Sequence, residues 1–221
     1  MLEQVPTLLS AVVADVFALQ QFLGGSVAGV AVGTAVYRLL QRRMEQAREI
    51  FLEELRRGET TLPPAQIDEA VAIVYRYSRA AQEGAARINL RLMAKAIAGQ
   101  ARLSNLSADE FLRDADVIAS LRRDEIFLLA EMHRVWTSDW LKQTEEQKRL
   151  SALLQRVEQR LVPSLFRDAD DLQATAAAIV RTGLLMTSPV WDGVAYRPTP
   201  KLERLVKLAP LDEVLAQEGH A

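Results

Sequence analysis

The chain has 221 residues, with 27 Lys+Arg against 29 Asp+Glu and a formal net charge of -2. Apolar residues make up 49% and charged residues 25%, a globular mixture on a chain long enough to bury its own core. Cysteine is absent, which excludes disulfide scaffolds, thiolate metal sites and cysteine nucleophiles, and the only histidines, His133 and His220, form no ligand spacing.

Pro and Gly are sparse and the polar positions favour Gln, Glu, Lys and Arg, so the pattern is helical nearly throughout. A first helix is expected from Thr7 to Phe22 and a second from Ser26 to Arg57, closed by Arg56-Arg57 and a stop at Gly58. Glu59 to Pro64 reads as a linker, because paired prolines cannot continue a helix. A third helix follows from Ala65 to Glu83 and a fourth from Ala85 to Gln100, either separate or continuous across Gly84. Ser107 and Glu110 form a capping-box pattern that opens a helix to Leu121. Further helices are expected over Asp124–Trp140 and Glu145–Leu161, with Pro163 marking the break. These elements divide the chain into a region 1–58, a central helical region 59–120 and a third region 121–221.

The last quarter changes character. Asp168 is placed to cap a helix running to Thr182, stopped by Gly183. Two apolar stretches, Leu184–Met186 and Val194–Tyr196, flank Thr187–Gly193, whose Asp192-Gly193 pair is a turn signal. Thr199 then caps a helix from Pro200 to Leu208. Arg181-Thr182-Gly183-Leu184-Leu185, followed by Tyr196-Arg197-Pro198-Thr199 and Leu202 and Leu205, resembles the ending of a winged-helix domain. The resemblance implies a recognition helix at Asp168–Thr182 and a wing at Thr187–Gly193. The fold class expected is therefore mostly α, an N-terminal helical bundle plus a C-terminal winged-helix-like module with a small two-stranded β-hairpin.

A DNA reader of this type places basic or amide side chains at the start of its recognition helix. Here that start is Asp168-Ala169-Asp170-Asp171, and residues 167–221 carry six basic against eight acidic side chains. That sign disfavours phosphate neutralisation. Arg181, Arg197 and Lys201 are the candidate nucleic-acid contacts that remain.

Gly25, Gly29 and Gly33 recur every four residues and Tyr37 continues the row, a smooth helix face that lets a second helix approach closely. The row lies inside Val16–Tyr37, 22 residues without a charge, followed by Arg38, Arg42, Arg43 and Arg48. The run has the length to cross a bilayer, but it also holds Gln20, Gln21, Ser26 and Thr34. A buried or self-associating helix of a bundle is the first reading, and a membrane-inserting segment the second.

No P-loop, Rossmann, nucleophile-elbow or HExxH pattern is present, so no catalytic residue, metal site or cofactor is expected. Trp136, Trp140 and Trp191 are expected either to form a partner surface or to pack a helix against the wing. Finally, a glycine-bearing apolar start, an Arg/Glu helix, a helix around Asn89-Leu90-Arg91-Leu92-Met93-Ala94 and the winged-helix-like end resemble, in their order, the abortive-infection alpha family of bacterial and prophage proteins. That resemblance implies a role in phage defence and carries no site residues. The function expected is a non-enzymatic, self-associating interaction protein; the alternatives are a DNA-binding regulator and a membrane-associated effector. Without cysteine or an export signal the cytoplasm is the expected compartment, or the inner membrane if Val16–Tyr37 inserts.

Overall fold

The computed structural model describes residues 8–24, 31–57, 64–103, 106–145, 148–190 and 193–219, with their side chains except those of 20–24, 31–35 and 64. The chain is mostly helical, with one antiparallel hairpin near its C-terminus, and it divides into two compact units, Met1–Ser120 and Leu121–Ala221.

The first unit contains α1 (Leu8–Gly24), α2 (Ala31–Arg57), α3 (Ile67–Glu83, preceded by a 3-10 turn at Pro64–Gln66), α4 (Arg87–Arg102) and α5 (Ala108–Ser120). Its axis is α4, in which every residue from Ile88 to Ala101 is buried. Alanine at 94, 96, 98 and 101 and glycine at 99 keep this helix thin, so α2, α3 and α5 all pack against it. The region before residue 58 and the helices after it thus share one core. Tyr77 of α3 closes that core: its hydroxyl donates to the Ala47 carbonyl at 2.8 Å, and the Phe51 ring meets its own edge-on at 4.8 Å.

Helices 3 and 4 are separate. Gly84 adopts φ 96°, a left-handed cap that a side chain disfavours, and its N–H returns to Ala80 and Ala81. The start of the second expected helix, Ser26–Val30, lies outside the described residues, as does Gly58 of the expected stop. Ser107 Oγ accepts the Glu110 N–H at 3.3 Å, while Glu69 Oε2 of α3 accepts the Ala108 N–H, so α5 is capped partly from a neighbouring helix.

The second unit contains α6 (Arg123–Thr137), α7 (Asp139–Gln143), α8 (Arg149–Leu161), α9 (Ala169–Val180), β1 (Leu185–Val190), β2 (Gly193–Pro198), α10 (Pro200–Leu208) and α11 (Leu211–Gly219). α6 is its centre, packed by α7, α8, α9, β2 and α11. The expected single helix over Asp124–Trp140 is broken at Ser138, whose hydroxyl donates to Val135 O and accepts from the Leu141 N–H. A serine there satisfies the end of one helix and the start of the next. Asp168 caps α9 by accepting the Asp171 N–H at 2.8 Å, and Thr199 caps α10 through Leu202 N–H.

The hairpin differs from expectation. Thr187 to Val190, read from the sequence as part of a turn-rich tip, pair with Tyr196 to Gly193 as regular ladder, leaving only 191–192 between the strands. Pro189 is tolerated because β1 is an edge strand. α11 was not expected. It buries Leu211 and Val214, and its Asp212 carboxylate pairs with Arg134 of α6.

Candidate functional site

Val36, Leu40, Met44, Ala47, Phe51 and Leu55 recur along α2 at three- and four-residue steps and so share one helix face. From Met44 to Leu55 this stripe is core. Before Met44 the same stripe is open: Val36 is 52% exposed and Leu40 36%, with Leu39 at 50% and Tyr37 at 41% beside them. Leu19, towards the end of α1, is also exposed. Four large apolar side chains within five residues are far from the scattered single exposures that surfaces normally carry. Gly33 stands three residues before Val36 and four before Tyr37, which puts it on the same face. Arg38, Gln41 and Arg42 take the opposite side.

Arg43 fixes how α2 sits. A Cβ added at Gly84 would lie 3.2 Å from its Nη1, so the guanidinium rests directly over the α3–α4 turn. The glycine row is only partly in view: Gly33 and Tyr37 lie on α2, while Gly25 and Gly29 fall outside the described residues.

In the second unit, the three candidate nucleic-acid contacts are all engaged internally. Arg181 Nη1 donates to Glu125 Oε1 at 2.9 Å and to Ala178 O at 2.5 Å. Arg197 Nε donates to Ser188 Oγ across the hairpin at 3.2 Å, and Lys201 Nζ to Thr182 O at 3.3 Å. The outward face of α9 presents Asp170, Gln173, Ala174, Ala177 and Ala178. Burial raises the Glu125 carboxyl, but Arg181 and the Arg122 backbone N–H outweigh it and hold the group below its ordinary value.

Trp136 is half-buried, Trp140 is 51% exposed with the Arg156 guanidinium 5.6 Å above its ring, and Trp191 lies outside the described residues. His133, half-buried on α6, is held below its usual value by burial, against the opposing pull of Glu203 and Asp212. Among the described residues no group of His, Asp or Glu side chains could hold a metal ion, and no helix is long and apolar enough to cross a membrane.

No family model, curated protein or solved structure matches this chain.

One constellation escaped the sequence reading. Glu54 is buried between α2 and α4, and its Oε1 accepts from Arg91 Nη1 at 2.8 Å and from Arg57 Nη1 at 3.3 Å. Lys95 Nζ stands 3.4 Å from its other oxygen, and Arg91 also reaches Glu53 Oε2 at 2.9 Å. The burial of Glu53 is outweighed by the Arg91 hydrogen bond and charge, so its carboxyl sits below the ordinary value. The available signal was Arg91 and Lys95, one turn apart within a helix that is buried from Ile88 to Ala101, opposite the pair Glu53-Glu54. The geometry of this cluster is that of a register lock between two helices.

Proposed function

We propose that this protein is a non-enzymatic interaction protein whose contact surface is the open stretch of α2 between Gly33 and Leu40. One observation carries the reading: a single apolar stripe is core from Met44 to Leu55 and uncovered from Val36 to Leu40. Leaving large apolar side chains in water costs roughly 25 cal/mol per Å² relative to covering them, so such a face favours an occupant. The small residue at 33 lets that occupant approach the helix closely. Of the glycine row, Gly33 and Tyr37 belong to this surface within α2.

The second unit, winged-helix-like in its order of elements, serves protein contact in this reading. Support comes from an α9 face of alanines, Gln173 and Asp170, and from three basic side chains committed to Glu125, Ser188 and Thr182. A setting in phage defence rests on the resemblance in layout alone.

The test is a photo-crosslinking amino acid placed at Leu39 of the full chain in growing cells, beside the same probe at Gln155, an exposed position on α8. A defined adduct from position 39 that position 155 does not give is the expected result. Equal, featureless labelling at both would remove the reading.

A further inference from the structure

Accepting that the open face of α2 is a contact surface, we infer that its occupant is an anionic lipid surface, on which the helix lies without crossing it. The charged side of the helix distinguishes this from a second copy, which would cover the apolar face and leave Arg38 and Arg42 unmatched. From Val16 to Met44 the charged residues are Arg38, Arg42 and Arg43, with no carboxylate among them. A negatively charged headgroup layer complements Arg38 and Arg42, while the acyl boundary takes up the apolar side chains on the other side of the helix.

The placement of the side chains fits this use. Val36, Tyr37, Leu39 and Leu40 lie together on one broad face, with Leu19 of α1 a further exposed apolar residue, and Arg38 and Arg42 are exposed on the other face. Helices that lie in the interface carry this division, apolar groups in the acyl boundary and arginines reaching up to the headgroups. Tyr37 adds an aromatic ring with a polar tip, the residue type enriched at that depth. Spanning is a different matter: no helix among the described residues has the length and apolar content for it. Arg43 rests over Gly84, which places the lipid-facing stretch beside the α3–α4 turn of the first unit.

Flotation of the full chain on two kinds of vesicle tests this: phosphatidylcholine alone, and phosphatidylcholine with phosphatidylglycerol, each at low and high salt. Expected is flotation with the anionic vesicles only, weakened by salt. Leu39→Asp with Leu40→Asp should abolish it. Arg38→Gln with Arg42→Gln should weaken it on the order of thirtyfold, at about a fivefold loss for each arginine near an anionic surface. Leu103→Asp removes an apolar side chain that is 71% exposed elsewhere in the same unit; it should float like the wild type, and circular dichroism should show every variant folded. Equal flotation on neutral vesicles, or flotation indifferent to the arginines, overturns the proposal. So does absence of flotation with concentration-dependent sedimentation that Leu39→Asp abolishes, a result that installs a second copy on the face and leaves the contact surface standing. Absence of both flotation and self-association likewise overturns the lipid proposal, and the crosslinking result then decides the contact surface separately.

Discussion

The Arg181 guanidinium at the end of α9 grips the Glu125 carboxylate in the first turn of α6, with Nη1 2.9 Å and Nη2 3.4 Å from its two oxygens. Glu125 is 1% exposed and Arg181 48%, so the arginine neutralises a charge that water does not reach. Arg181→Gln is therefore expected to destabilise the second unit by about 2 kcal/mol, because a buried carboxylate loses its counter-ion. All three tryptophans lie beyond residue 121, so tryptophan fluorescence in urea follows this unit selectively. On random duplex DNA at low salt, anisotropy is expected to stay flat. Salt-dependent binding weakened by Arg197→Gln or Lys201→Gln would restore the regulator reading.

Much of this architecture was legible in the residues. Thr199 ahead of Pro200 and Asp168 ahead of an alanine-rich run are marked by local chemistry that acts within a turn. What stayed hidden depends on distant partners. The break at Ser138 needs a hydroxyl to serve two helix ends at once, where the pattern alone continued to Trp140. Thr187 to Val190 became ladder because residues 193–196 pair with them, a pairing that overrides the turn propensity of Ser188-Pro189. Arg181 looked like a surface contact until its partner, 56 positions away, was in view. The apolar α2 stripe was readable in full, but periodicity cannot say where along a helix the cover ends.

Between α2 and α4 the outcome is expected to be strongly non-additive. Arg91→Met leaves the buried Glu54 with fewer cations and should cost about 3 kcal/mol in the first unit. Glu54→Leu should cost at least as much, since Arg91, Lys95 and Arg57 all converge on that carboxylate. Together the two changes remove opposite charges. The cost of the double variant should then fall about 1–3 kcal/mol short of the sum of the singles in a double-mutant cycle followed by far-ultraviolet circular dichroism. Simple additivity would mean that the ion network does not set the register of α2.

Acid should weaken the second unit in two stages, both in the same direction. His133 titrates below its ordinary value of 6.5 in the fold, where burial disfavours the charged ring. The unfolded chain therefore binds the proton first, and the contribution, complete above that value, is lost as pH falls towards the folded one. Glu125 titrates below 4.5, despite its burial, because Arg181 and the Arg122 N–H favour the carboxylate. Its stabilisation is present above 4.5 and disappears as pH drops through its lower folded value. Urea midpoints read by tryptophan fluorescence should thus decline gently below pH 6.5 and steeply below 4.5. His133→Gln should flatten the first stage alone, and Arg181→Gln should blunt the second while lowering the plateau at neutral pH. A profile in which His133→Gln changes the steep stage, or Arg181→Gln leaves it intact, would contradict these assignments.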